Sequence, residues 1–231
     1  MGQFLIDGCR EIEAAARCGV SIRTLFATQS SALSLSSGLR SNVVLVGESI
    51  AERISYGQRK DTPVAIAETP NVSFQADMLQ GVILVLDRTE KPGNLGACLR
   101  TADAAGVTTV ILTDPVCEVF NDNAIRASRG AIFSLNIAQM SQQHFLVECA
   151  KAKMPIFTAR VDGEKTLWEL DLASNAAVVF GNEAEGLGQN WLHEQVQSFT
   201  IPMSPSETDS LNLSISAAVT LFEAKRQRTQ I

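Results

Sequence analysis

The sequence predicts an α/β protein built on a mostly parallel sheet with helices on both faces, preceded by a smaller α/β unit. Two observations carry that reading. The apolar runs "VILVLD" (82–87), "TVILTD" (109–114) and "AAVVFG" (176–181) are continuous rather than alternating, as strands covered on both faces require. Helix-like stretches of crossover length lie between such runs, and parallel strands need such connections where hairpins do not.

The first elements are short. "IDGCREIEAAARCG" (6–19) places Ile6, Cys9, Ile12 and Ala16 at helical spacing, with Gly19 to end the helix. "IRTLFAT" and "NVVLVG" read as strands, "ESIAERISYG" as a helix closed by Gly57, and "TPVAIAETP" as a strand framed by prolines. This first unit spans residues 1–70, with a linker at 71–79 and a larger domain at 80–231. In the larger domain "GNLGACLRTADAAG" is a helix between two strands. Helix "NDNAIRASRG", strand "AIFSLNIA", helix "QQHFLVECAKAK" and strands "PIFTAR" and "AAVVFG" continue the alternation, and a final helix runs from about Ser210. The pattern is that of a doubly wound sheet.

Composition narrows the function classes. The 231 residues are 45% hydrophobic, enough for a packed core. No apolar run approaches the roughly 18 residues of a membrane span. The first residues carry charges where a signal peptide needs an apolar core, and Ile6 stands where a myristoylation signal needs Ser or Thr. Five cysteines without a C-x-x-C pair suit reduced thiols in the cytoplasm. The two histidines, His144 and His193, have no partner at metal-ligand spacing, so no metal is expected; both read as solvated or capping. A net charge of −6 argues against non-specific nucleic-acid binding, but leaves room for the local basic surface that phosphate contacts need.

Three segments of unusual composition fall at strand ends, where open α/β sheets bind ligands. The first holds Asn94 and Arg100, at the start and on the second turn of one helix. The second, "VVFGNEAEGLG" (178–188), sets Gly181, Gly186 and Gly188 around Glu183 and Glu185. Glycine-rich turns after parallel strands usually cradle phosphate, which carboxylates would repel. The third, "IPMSPSETDSLNLSISAA", presents Ser210, Leu211 and Asn212 at a helix start. Each has a plainer reading too: Asn94 as a cap, Arg100 as a solvated helix residue, Ser210 as an N-cap. Glu183 has no common structural role inside a glycine turn. Both the dinucleotide fingerprint and the Walker A loop are absent, which counts against a nucleotide-dependent oxidoreductase on a similar sheet.

In their order and content these segments resemble the three sequence motifs of the SpoU-type RNA 2′-O-ribose methyltransferases of the SPOUT superfamily. The resemblance covers about residues 80–231. "FLIDGCREIEAAARCG" is similar to the opening of that family's small ribosomal-protein-like RNA-binding domain. "RASRGAIFSL" (126–135) is similar to the thiostrepton/nosiheptide-resistance branch, which acts on large-subunit ribosomal RNA; many relatives carry lysine at the position of Arg126 and lack Arg129.

The resemblance implies a C-terminal trefoil knot, a homodimer and S-adenosylmethionine as cofactor, a sulfonium cation without phosphate beside which a carboxylate is tolerable. It implies backbone contacts to the cofactor around Gly181, Ile201 and Leu211, with Met203 and its "IPM" segment forming an adenine slot. Arg100 would be the central catalytic residue, acting by phosphate clamping and electrostatic activation rather than as a base, because its reference pKa lies above about 12. Asn94, Glu183, Ser210 and Asn212 would orient Arg100, the ribose and the cofactor, and Arg129 would add a second phosphate contact. The substrate would be 23S ribosomal RNA, with transfer RNA or a non-catalytic RNA-binding role as alternatives. Two departures are expected to bear on substrate choice: the 204–209 loop reads one residue longer than common forms, and the basic segment that often precedes "FLIDG" is missing.

Overall fold

The computed structural model describes residues 2–57, 60–204 and 210–229; the bulk of the 204–209 loop lies outside them. The N-terminal unit contains β1 (Gln3–Asp7), α1 (Cys9–Arg17), β2 (Ile22–Ala27), two single-turn helices α2 (Gln29–Ala32) and α3 (Ser37–Arg40), β3 (Val43–Leu45), α4 (Glu48–Ile54) and β4 (Val64–Glu68). The larger unit continues with β5 (Val82–Asp87), α5 (Pro92–Ala105), β6 (Thr109–Thr113), α6 (Asp122–Ser128), β7 (Asn136–Met140), α7 (Gln142–Ala152), β8 (Ile156–Ala159), β9 (Lys165–Thr166), β10 (Ala176–Phe180), β11 (Val196–Thr200) and α8 (Leu213–Thr229).

The first four strands form a sheet in the order β1-β4-β2-β3. The others form a seven-stranded sheet in the order β7-β6-β5-β10-β8-β11-β9, and every pairing in it is parallel. The continuous apolar runs have the expected cause. All six residues of β5 are buried: Val82, Leu84 and Leu86 enter the core shared with α5, α6 and α8, while Ile83 and Val85 enter a second core with Phe145 and Cys149 of α7 and Trp191. Helices therefore cover both faces.

Sequence reasoning misplaces several elements. Ile6, read as the first turn of a helix, lies in β1 opposite Ala65, and α1 starts only after Gly8. "AIFSLNIA" is not a strand throughout: Ala131–Phe133 forms a single 3₁₀ turn and β7 begins at Asn136. Its apolar residues are taken up elsewhere, because Phe133 stacks on Phe120 at 6.4 Å and Phe120 packs on Phe4 of β1 at 5.0 Å. The last helix starts at Leu213 rather than at Ser210. Strands β9 and β11 have no continuous apolar run to announce them; of the "VQSFT" in β11 only Phe199 is fully buried.

The two sheets share one core. Ile6, Ile12 and Leu25 of the N-terminal unit belong to the same buried cluster as Leu99, Ile125 and Ile132 of the larger one. The guanidinium of Arg126 lies 4.9 Å from the centre of the Tyr56 ring, a cation–π contact joining α6 to the N-terminal unit. Residues 71–79 run beside β7, where Gln139 N–H donates to Val72 O at 2.8 Å.

Helix α5 sits between α6 and α8, and Gly96 permits the close approach. A Cβ there would lie 2.4 Å from Ala124 O and 2.6 Å from Ala127 Cβ. Gly96→Ala is expected to cost about 1–3 kcal/mol through overpacking, despite alanine's better helix propensity. Urea unfolding checks it; a variant at least as stable as the parent would show that α5 and α6 do not pack this closely.

Candidate active site

Strand order reverses between β5 and β10: β6 and β7 extend the sheet on one side, β8, β11 and β9 on the other. Such a switch point opens a crevice at the carboxyl ends of the strands. Here it lies between the chain leaving β5 at Arg88 and the chain leaving β10 at Gly181.

The 181–188 turn is folded tightly on itself. A Cβ on Gly181 would lie 2.3 Å from the carbonyl carbon of Gly186, so glycine is required by space. Buried Asn182 organises the rest of the turn. Its Oδ1 accepts from the N–H of Ala184 at 2.7 Å and of Glu185 at 3.2 Å, and its Nδ2 donates to Arg88 O at 3.1 Å. Asparagine commonly shapes turns this way.

Glu183 is held at the centre. Its Oε1 accepts from Asn94 Nδ2 at 2.6 Å, while its Oε2 is shielded from solvent and has no partner. Asn94 lies in the first turn of α5, whose N-cap is Lys91, without a side-chain capping bond. The capping reading of Asn94 is therefore overturned: its amide reaches across the crevice instead. Asn212 Nδ2 approaches Asn94 Oδ1 at 3.5 Å, the outer limit of a hydrogen bond. Asn212 also caps α8, its carbonyl accepting from Ile215 and Ser216 and its Oδ1 from Ser214 N–H at 2.9 Å. The N-cap is thus Asn212, not Ser210, which is exposed two residues earlier.

Next to this network is a cleft of about 360 Å³ lined by Phe180, Gly181, Ile201, Met203, Leu211 and Leu213, among others. All four expected cofactor residues, Gly181, Ile201, Met203 and Leu211, line it, together with Glu183 and Ser210. The volume falls in the range of small-molecule sites. Arg160 closes one wall, donating to Leu187 O at 3.2 Å and to Asp162 at 3.1 Å.

The structure does not join Arg100 or Arg129 to the network. Both are exposed, and neither guanidinium has a hydrogen bond or ion pair among the described residues. Arg129 has a left-handed backbone, φ 53°, at the end of α6, which turns the chain sharply there. Sequence reasoning passed over Arg88, Asn182 and Arg160. Asn182 had a signal, an asparagine directly after a glycine; Arg88 and Arg160 stand just past strand ends with no pattern to mark them.

The surroundings disfavour the thiolate form of the thiols near the site. Burial, reinforced by the nearby Glu183 charge, pushes Cys98 up to about 12, and Cys117 is raised, first by burial, with Glu183 adding to it. His144 and His193 are both exposed. His144 donates its backbone N–H to the Ser141 cap of α7 at 3.2 Å. Among the described residues no three His, Cys, Asp or Glu side chains are grouped to hold a metal ion, and no helix is long and apolar enough to cross a membrane.

Known proteins resemble this chain in sequence and fold. A 23S rRNA (guanosine-2′-O-)-methyltransferase, RlmB, of Xylella fastidiosa is 42% identical over 153 residues, which are 66% of this chain and 61% of that protein. The match thus spans less than two thirds of this relative's length. A 23S rRNA (adenosine(1067)-2′-O)-methyltransferase of Streptomyces azureus is 32% identical over 185 residues, 78% of this chain and 68% of its own. The crystal structure of the SpoU methyltransferase AviRb from Streptomyces viridochromogenes, in complex with AdoMet, superposes with a TM-score of 0.85 at 25% identity, covering 99% of this chain and 91% of that one. The family model described as "SpoU rRNA Methylase family" matches residues 81–222, from the start of β5 into α8 and across all three site segments; the chain belongs to the SpoU rRNA methylase family.

Proposed function

We propose that this chain is an S-adenosylmethionine-dependent RNA methyltransferase acting on a ribose 2′-hydroxyl of 23S ribosomal RNA. The observation that carries the reading is the cleft of Gly181, Ile201, Met203 and Leu211 opening beside the Asn94–Glu183–Asn212 network. The residues fit the cofactor. Phe180, Ile201, Met203 and Leu211 offer apolar contact to an adenine, and Glu183 keeps one unpartnered carboxylate oxygen for a cationic group. Carboxylates in the turn disfavour a phosphate-bearing cofactor. The ribosomal substrate draws support from the rRNA relatives, one of them matched over most of this chain.

When bound, S-adenosylmethionine supplies an electrophilic methyl carbon on its sulfonium. The chain's own residues position the nucleophile and ease the loss of its proton. Glu183 and Asn94 orient the reacting groups, with Ser210 and Asn212 closing the crevice from the third segment. Arg100 clamps a phosphate next to the reacting ribose and stabilises charge on the 2′-oxygen, and Arg129 adds a second phosphate contact. Alignment supplies much of the acceleration.

Residues 1–70 act in this reading as the RNA-binding unit, 71–79 as their connection and 80–231 as the methyltransferase domain. The last segment threads a trefoil knot. The enzyme works in the cytoplasm as a homodimer, supported by the half-exposed Ile215 and Phe222 of α8.

Four experiments test the reading. Calorimetry with S-adenosylmethionine is expected to give one site per chain without added metal, and tritium from labelled cofactor should enter 23S RNA at a ribose. Incorporation into transfer RNA alone would redirect the substrate; no binding and no transfer would end the proposal. Arg100→Ala is expected to change stability by only about 0.5 kcal/mol, as exposed sites do, and to slow single turnover about a hundredfold or more. Arg100→Lys should recover little, because an ammonium lacks the planar fork; wild-type turnover in Arg100→Ala would remove Arg100 from the mechanism. Light scattering should report a two-chain species, and a fully active monomer would refute the dimer.

A further inference from the structure

We propose that Arg88 is a positioning residue for the methyl transfer, a latch holding the 181–188 turn so that Glu183 faces Asn94. The proposal rests on the methyltransferase reading above. Arg88 is the first residue beyond β5 and has a left-handed backbone, φ 48°, a conformation rare outside glycine and asparagine. This bend sends its backbone and its side chain to the same neighbouring turn by separate routes.

The backbone route reaches the residue before Glu183: Arg88 O accepts from Asn182 Nδ2 at 3.1 Å. The side-chain route reaches the residues after it. Nη1 donates to Glu185 Oε2 at 2.9 Å, and Nη2 lies 3.5 Å from Gly186 O. Glu183 is thus bracketed by contacts from a single residue. Arg88 is itself anchored. Its N–H donates to Thr113 O at 2.9 Å, and its Nε lies 3.4 Å from Oδ2 of buried Asp87, whose Oδ1 accepts from Thr113 Oγ1 at 2.7 Å. The chain of contacts runs from the end of β6 through Asp87 and Arg88 to the 181–188 turn, and from there to Asn94.

Fold stability does not account for this arrangement. The Arg88 side chain is 36% exposed and that of Glu185 69%, and exposed ion pairs contribute little. What the pair controls is geometry at a carboxylate whose second oxygen is unpartnered. It also neutralises Glu185, which leaves Glu183 as the unpaired acid on that wall.

The test compares the full-length wild type with Arg88→Ala, Arg88→Lys and Glu185→Gln. Thermal unfolding of all four is expected to stay close to wild type. Hydrogen exchange at the amides of 184–187, measured without cofactor, should be about tenfold faster in Arg88→Ala. Single-turnover transfer at saturating cofactor should fall between tenfold and a hundredfold, the scale of a small misplacement of a reacting group, with a smaller change in cofactor affinity. Arg88→Lys should restore part of the rate, since one ammonium can pair with Glu185 but does not reproduce the fork; Glu185→Gln should fall in between. Wild-type exchange at 184–187 in Arg88→Ala, or faster exchange with wild-type turnover, would overturn the proposal. So would a large loss of stability with a normal rate at permissive temperature. Failure of the methyltransferase reading appears separately, as a wild type without cofactor binding or transfer, and the exchange comparison still decides the latch.

Discussion

The insertion of β10 between β5 and β8 is the constraint on which the rest depends. Its five residues pair in parallel with β5 on one side, from Ala176 opposite Val82 to Phe180 opposite Leu86, and three of them, Ala177, Val178 and Val179, pair with β8 on the other. Every one of them is buried. Because the two strands end within one residue of each other, Arg88 and Gly181 leave the sheet close together, and the segments beyond them must share one crevice. The Asn182–Arg88 and Glu183–Asn94 bonds result from that register. A slip of one residue would turn each inward side chain to the opposite face and would separate Asn94 from Glu183.

This dependence explains what could be read from the residues and what could not. The sheet was legible because burial on both faces leaves continuous apolar runs, as in "VILVLD" and "AAVVF". Strands β9 and β11 were not, since polar side chains remain along them at the far side of the sheet. Glu183 stood out because an acid in a glycine turn lacks an ordinary role, and its bond to Asn94 brings the two segments together. Arg88 was invisible for a different reason. Its importance comes from a left-handed backbone and from partners 94 to 98 positions away, and neither leaves a trace in local spacing.

The small N-terminal unit is joined to the rest by packing rather than by a free tether. Phe4, Phe120 and Phe133 form one aromatic group across the junction, and Gly130 approaches Ala14 so closely that a Cβ would lie 2.6 Å from the alanine Cβ. Arg126 is committed to the same junction through Tyr56. The guanidinium group suits that task, since it stacks on a ring where an ammonium is a compact, strongly hydrated charge. Asp122, one turn earlier on α6, is raised above its ordinary value, chiefly by burial and then by the nearby Asp7, with Arg126 opposing. Two acids and an arginine therefore meet at a partly buried junction, and Arg126 offsets part of their repulsion.

The arginines of this acidic chain divide by what they touch. Arg88 and Arg160 are bound to carboxylates and carbonyls around the cleft, and Arg126 is stacked on a ring. The hydrogen bonds of Arg88 and Arg160 and the ring contact of Arg126 fix their positions and make each a part of the scaffold. Arg100 and Arg129 are exposed on the neighbouring helices α5 and α6, with no ion pair among the described residues. An arginine that has already satisfied its donors gains little from a phosphate, whereas a free one can supply a bidentate contact. A negative net charge is thus compatible with binding RNA: overall repulsion sets the long-range field, while an unpaired guanidinium group can still offer a local phosphate contact. In this arrangement the arginines bound to the protein lie around the cleft, and the exposed Arg100 and Arg129 are left for the phosphate contacts proposed above.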